Sequence, residues 1–300
     1  MKIAVIGTIN QDLILPFQGA SIQSFGGIYY TIAALSQLGH DHYQIYPISF
    51  IGSEVYPALI NLLNRYPQIR HDGLKPIDQR QHKVILEYIS AEERIEKALF
   101  NFPPLSWNEI QPFLDFDFYI INMITGWDIS LDAFLRLSAR HYDRMYLDVH
   151  FLVMGTDDLG KRFPRKPDDI NQWLTGARFI QMNEREFRII TENKMSEVMF
   201  FENTFKPDQV LIITLGNRGA YVIFYKENII RKKLFLAPKL EAVVDVTGSG
   251  DVFGAGFVCE YLKSRDIYKS MEIANRAGAA NCLLKGTTEI DRLLSELEKL

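Results

Sequence analysis

The chain has 300 residues, 47% of them hydrophobic, and a formal net charge of −4; this excludes a disordered chain and leaves no basic field for a phosphate backbone, so nucleic acid is not an expected partner. No stretch approaches the ~18 apolar residues of a membrane span, so no membrane partner is expected either, and the opening MKIAVIGTI is too short for a signal h-region. The two cysteines, Cys259 and Cys282, stand in apolar helical sequence and read as buried free thiols of a reducing, cytoplasmic compartment.

In chain order, strands and helices alternate. KIAVIG (2–7) is a buried strand, 27–38 a helix closed by Gly39, 43–52 a strand and 55–66 a helix. KVILEYIS (83–90) and RIEKALFNF (94–102) flank the polar AEE and predict a hairpin-like insertion. The alternation resumes with a strand at 116–123, a helix at 131–140 and a strand at 144–150. GKRFPRKPDD (160–169) reads as a surface loop. Strands follow at 177–183, 209–216 and 220–226, and Arg231–Lys233 reads as a solvated strand end. Helices are predicted over 251–262 and 268–284, with a last one over 289–300 that Thr287 or Thr288 can cap. This pattern predicts a three-layer α/β/α domain with a mostly parallel central sheet. In such sheets ligands bind beyond the carboxyl ends of the strands. Polar residues collect at those ends: Asn10 and Asp12, Asp148 and His150, Asn183, and Thr214.

DVTGSGDVFGAGF (245–257) is the most informative stretch. No G-x-x-x-x-G-K-[ST] loop exists in the chain, and the place of a dinucleotide fingerprint after the first strand reads GTINQD. Gly248 and Gly250 let main-chain N–H groups converge, and a helix beginning near Asp251 adds its free amides and positive dipole end, which makes an anion site. A carboxylate beside that site suits an acceptor hydroxyl lying between the two, deprotonated by Asp251 while the amides hold a transferring phosphoryl group. The residues alone leave a second reading open: aspartate is also common in a first helical turn.

The same stretch resembles the C-terminal signature of the ribokinase-like (PfkB) family of carbohydrate and nucleoside kinases, with Val246 and Ser249 as mild variants. Five further motifs resemble the family in the same order: GTINQDLIL (7–15), GGIYYTIAALSQLG (26–39), NERE (183–186), TLGNRG (214–219) and ANRAGAANCLLKG (274–286). The resemblance implies one ribokinase-like domain over 1–300, with a small β-sheet lid from about 13–25 and 83–102. It implies Asp251 as catalytic base, Gly248, Ser249 and Gly250 as anion hole, and Asn10, Asp12, Gly26, Gly27 and Thr31 around the acceptor. It places Thr214, Gly216, Gly219, Asn275 and Asp245 near the nucleotide, and Asn183 and Glu186 near a magnesium ion through water. The implied reaction moves the γ-phosphate of ATP to a hydroxyl of a sugar-like small molecule. ATP and Mg²⁺ are the implied cofactors; a monovalent cation near Asp245 and a homodimer through the lid are left open.

Two departures from the family pattern bear on the acceptor. Members that phosphorylate ribose follow the double glycine with a lysine and then an asparagine, where this chain has Ile28 and Thr31 with Tyr29 and Tyr30 between. That makes ribose doubtful and favours a nucleoside as the alternative, since a base can stack on tyrosine. Asp148-Val149-His150 stands where Asp-x-Asn followed by arginine is frequent, and the next arginine is Arg162; His150 reads either as a phosphate or acceptor contact or as a buried, hydrogen-bonded histidine. Glu87 could reach the acceptor from the lid, and Met123 reads as core. A catalytically silent metabolite-binding protein on the same scaffold is the rival of another class.

Overall fold

The computed structural model describes residues 1–15, 21–89 and 94–300. In the amino-terminal half, β1 (Lys2–Ile6), β2 (Ile9–Leu15), β3 (Ile22–Gly27) and α1 (Ile28–Gly39) are followed by β4 (Gln44–Gly52), α2 (Tyr56–Leu63) and β5 (Leu74–Ile77). Next come β6 (Lys83–Tyr88), β7 (Arg94–Leu99), α3 (Trp107–Ile110), β8 (Phe118–Asn122), α4 (Leu131–His141) and β9 (Met145–Asp148). Two short strands, β10 (Met154–Thr156) and β11 (Arg162–Pro164), precede α5 (Ile170–Leu174), β12 (Phe179–Asn183), α6 (Glu184–Thr191) and α7 (Glu197–Thr204). The chain finishes with β13 (Val210–Thr214), β14 (Ala220–Lys226), β15 (Ile229–Phe235), α8 (Ser249–Ser264), α9 (Ile267–Asn281) and α10 (Leu293–Glu298).

Nine strands form the central sheet in the order β15-β14-β13-β12-β9-β8-β1-β4-β5. From β5 to β13 every pairing is parallel; β14 and β15 return antiparallel. The strands are buried on both faces, and successive residues serve opposite cores. Ile3 and Val5 pack with α1, α8 and α9, whereas Ala4 and Ile6 pack with the layer of α4, α5 and α7. The three-layer architecture expected from the alternation is therefore present. No helix among the described residues is long and apolar enough to cross a membrane.

The insertion forms a separate four-stranded sheet in the order β3-β2-β6-β7. β2 pairs antiparallel with β3 and parallel with β6, and β6 pairs antiparallel with β7. The expected lid segments about 13–25 and 83–102 thus contribute to one sheet, although 16–20 and 90–93 lie outside the described residues. The 160–169 segment is not a plain surface loop. Its Arg162–Pro164 pairs with β10, and Gly160 and Lys161 lie along β7. Arg231–Lys233 is not a strand end but the middle of β15, the sheet edge, whose charges keep that edge in water.

Candidate active site

The candidate site is built around the amino end of α8. Gly248, its N-cap, has φ +76°, and a Cβ there would run into the ring of Tyr30, so both backbone and packing demand glycine. The helix is buried almost all round, with Val252, Phe253, Ala255, Phe257 and Val258 in the core, so its amino end cannot drift. Asp251 lies in the first turn, 9% exposed, and lines a cavity of about 360 Å³. Its Oδ1 accepts from Asn122 Nδ2 at 2.9 Å. Burial pushes its carboxyl up to about 7, against the lowering effects of Asn122 and of its own main-chain N–H. The carboxylate thus faces a cavity and is tied to a neutral amide rather than to a cation.

Strand register assembles the rest along the carboxyl edge of the sheet. Asn122 ends β8 opposite Asp148, which ends β9; Asp148 stands opposite Gln181 of β12; Asn183 ends β12 opposite Thr214. Gln181 Nε2 donates to Asp148 Oδ2 at 3.0 Å and to the Gly250 carbonyl at 3.1 Å, and its Oε1 accepts from the Tyr146 hydroxyl at 2.6 Å. That amide clamps the first turn of α8 to the sheet. Asp148 is held well above the usual carboxylate range by burial, with the charges of Glu186 and Asp251 adding to the effect. Burial likewise lifts Glu186 to about 8, although the Asn183 N–H and Arg185 oppose it. Asn183 and Glu186 form a reciprocal capping box on α6: Asn183 Oδ1 accepts from Glu186 N at 2.9 Å, and Glu186 Oε2 from Asn183 N at 2.8 Å. Both also line the cavity.

At the other end of this cavity, Asn10 and Asp12 point inward from β2, 3% and 6% exposed. Asn10 Nδ2 donates to Asp12 Oδ1, while Asn10 Oδ1 is buried without a partner among the described residues. Burial raises Asp12 to about 7 despite the Asn10 bond. The double glycine makes room for this pair: a Cβ on Gly26 would meet the Asp12 carboxylate, and one on Gly27, at φ +62°, would meet Asn10 Oδ1. Gly27 lines the cavity; Gly26 stands behind Asp12. Thr31 does not line it. It is 1% exposed, and its hydroxyl accepts from Asn122 Nδ2 at 3.0 Å, so it braces the residue that braces Asp251. Tyr29 also departs from expectation: it is a core residue, 1% exposed. Tyr30 does line the cavity, but it forms a floor beneath Gly248.

A second cavity, about 540 Å³, adjoins the first and shares Thr214, Gly216, Val246, Ser249 and Gly250 with it. Gly216, at φ +62°, and Gly219 lie in its wall opposite the small-residue face of α9, with Phe253, Pro238 and Val243 giving it an apolar interior. Asn275 is in the wall, and its Nδ2 donates to the Phe235 carbonyl at 3.0 Å. Asp245 is the exception among the expected nucleotide residues. It lines neither cavity, and its Oδ1 accepts from Thr247 N at 2.9 Å, shaping the turn before Gly248. Cys259 is buried as expected, whereas Cys282 is half-buried just beyond α9 and lines this second cavity.

Four residues not singled out as site groups, Asn122, Gln181, Arg162 and Glu96, line or support the site. Asn122 and Gln181 obey the same rule that flagged Asp148, being polar residues at or near strand carboxyl ends. Arg162 gave no local signal. It is brought to the lid by β11, its side chain 3% exposed, and its Nε stands 3.3 Å from Glu96 Oε1. Glu96 lines the first cavity; Glu87, one strand away, does not, and forms an exposed ion pair with Lys97 at 3.6 Å. His150 lines the cavity at φ +38°, and burial, helped by Arg162, pulls it down to about 4. Met123 is core.

Residues 155–292 match the family model described as pfkB family carbohydrate kinase. Among curated proteins, the chain is similar to a sugar kinase described as uncharacterized from Archaeoglobus fulgidus, 26% identical over 165 residues, 49% of this chain and 64% of that one. It is similar to an ATP-dependent ribose-1-phosphate kinase of Halopiger xanaduensis, 28% identical over 123 residues, 41% of this chain and 38% of the other. It is also similar to a nucleoside kinase of Methanocaldococcus jannaschii, 36% identical over 95 residues, 31% of this chain and 28% of the other. The matched part therefore spans less than two thirds of each of these relatives. Among solved structures, the ribokinase of Thermotoga maritima superposes with a TM-score of 0.75 at 16% identity, over 100% of this chain and 98% of that one. The fold is that of ribokinase.

Proposed function

We propose that the protein is a small-molecule kinase that moves the γ-phosphoryl group of ATP to a hydroxyl of a sugar-like acceptor. One observation carries this reading: two cavities meet at the first turn of α8, where a buried carboxylate stands at the amino end of the helix. The acceptor lies between Asn10, Asp12 and the lid; the nucleotide lies against Gly216, Gly219 and α9. Asp251 accepts the proton of the acceptor hydroxyl as that oxygen attacks the phosphoryl group in line, and the amino end of α8, with the Gly250 amide foremost since Ser249 N donates to the Val246 carbonyl at 3.2 Å, takes up the charge. A carboxyl near 7 suits this role, because it is a stronger base than a solvated aspartate and is still half ionised at neutral pH.

Among the described residues no three His, Cys, Asp or Glu side chains stand close enough to hold a bare metal ion. Both oxygens of Glu186 already accept from Asn183. This donor set fits a magnesium ion carried by the phosphates and approached through water by Asn183, Glu186 and Asp148. Bound there, Mg²⁺ would neutralise phosphate charge. Asp245 enters this reading through the turn it shapes, and a monovalent cation is not needed by it.

The test is ADP release from Mg-ATP across a panel of sugars, sugar phosphates and nucleosides, repeated with Asp251→Asn. The variant should lose about 10²–10⁴-fold in kcat while keeping its affinity for ATP. Near-full turnover in the variant would remove Asp251 from the base role, and binding without turnover across the whole panel would favour a silent binding protein. A nucleoside acceptor is the second reading, favoured by the apolar lid residues Val84 and Leu86 over the acceptor cavity; turnover with adenosine but not with ribose or fructose would select it.

A further inference from the structure

We propose that Glu96, braced from behind by Arg162, selects the acceptor: the site takes a neutral polyhydroxyl compound that donates a hydrogen bond to Glu96, and it discriminates against the same compound carrying a phosphate at that end. The inference deepens the kinase reading and rests on it. Glu96 stands on β7 opposite Leu86 of β6, and with Val84 these side chains form the lid's face over the acceptor cavity. Asp12 lines the same end. Two carboxylates therefore converge where the part of the acceptor remote from Asp251 must lie. An ionised carboxylate only accepts hydrogen bonds, so its partner must offer O–H or N–H. A phosphate offers none at neutral pH beyond a weak acid proton, and it meets like charge.

Arg162 does not answer that charge from within the cavity. It lies outside the lining, with Glu96 in front of it. Its Nη1 donates to the Thr125 carbonyl at 2.9 Å, and its guanidinium lies over the Phe151 ring, 3.9 Å from the centroid. The main chain reinforces this arrangement, since Ala98 N donates to the Gly160 carbonyl at 3.0 Å and Lys97 bridges to Lys161. Arg162 is thus a positioning residue, and Glu96 is the one that meets the acceptor.

The experiment measures turnover and calorimetric binding for matched pairs: fructose with fructose 6-phosphate, and ribose with ribose 1-phosphate, with inosine added as a neutral nucleoside. Wild type should favour the neutral members. Glu96→Gln, which keeps shape and an acceptor oxygen but removes charge, should narrow the neutral-to-phosphorylated ratio by about tenfold or more. Glu96→Ala should raise KM for the preferred neutral acceptor by about 10–100-fold, the loss of one charge-assisted hydrogen bond, with kcat changed little. Arg162→Met should reproduce that KM effect and Arg162→Lys should partly rescue it, which a merely structural role would not do. A wild-type preference for the phosphorylated members, or a Glu96→Gln ratio within about twofold of wild type, would overturn the inference while leaving the kinase reading intact. Charge-dependent binding with no phosphoryl transfer would do the reverse. Neither binding nor turnover with any compound would sink both.

Discussion

Asn122 spends its amide on two oxygens, those of Thr31 and Asp251, and leaves its own Oδ1 buried without a partner among the described residues. Its bond favours the ionised form of Asp251, so removing it should make that carboxyl harder to deprotonate. A hydrogen bond to a charged group is worth about 1.5–3 kcal/mol, or about 1–2 pH units. Asn122→Leu should therefore move the acidic limb of kcat/KM upward by that amount, with acceptor KM at high pH nearly unchanged; a pH–rate profile reads it directly. Stability follows the same groups. Asp251, near 7, and Glu186, near 8, hold their protons more tightly folded than unfolded. Their contribution is full below about pH 4 and is lost as pH rises through 7 to 8. His82 and His150, pulled down to about 4 by burial, act in the opposite sense, and their contribution is lost as pH falls from 6.5 toward 4. Asp251→Asn should thus raise Tm at pH 8 by roughly a few degrees and lose that gain near pH 4, which scanning calorimetry at the two pH values would check. Asp251 was legible because its neighbours spell out a turn and a helix start. Asn122 and Gln181 became site residues through the register of β8, β9 and β12, which no single strand encodes.

Among the elements, the turn into α8 carries the most constraint. Gly248→Ala would place a methyl group against Tyr30 in a left-handed conformation, a strain of about 1–3 kcal/mol. The variant should lose that much in a urea titration and should also lose turnover, because the first turn of α8 would shift; Tyr30→Ala in the same background should return part of the stability. The long apolar elements, β1, β8, α1 and α8, were readable because burial on every side leaves a continuous apolar run. β10, β11 and β15 were not. β11 carries two prolines' worth of loop-like sequence around it, and β15 is an edge whose Lys232 pairs with Glu197 at 2.9 Å rather than with a core. Short or charged strands take their shape from the neighbour they pair with.

For the molecule as a whole, strand alternation revealed the layers but not the order of nine strands, in which the first strand lies between β4 and β8 and the last at the edge. That order brings the double glycine of residues 26 and 27 to the start of α8 and opens two cavities that share one wall. Occupancy of the second should be readable without any chemistry. Cys282 lines it, whereas Cys259 is buried and lies away from it. A thiol reagent should modify Cys282 first, slowly because burial raises its thiol, and saturating Mg-ATP should slow that reaction at least severalfold by mass spectrometry; unchanged labelling would place the nucleotide elsewhere.

The pairing of residues 160 and 161 with β7 has a consequence for how two copies could meet. An additional strand joining the small sheet along that side would compete for the N–H of Ala98, which already has a partner in the Gly160 carbonyl. Stripping that partner away would also release Arg162 from Glu96. Docking of a second molecule on this side would therefore disturb the Glu96–Arg162 pair, and a dimer that keeps this pair must be joined through another surface.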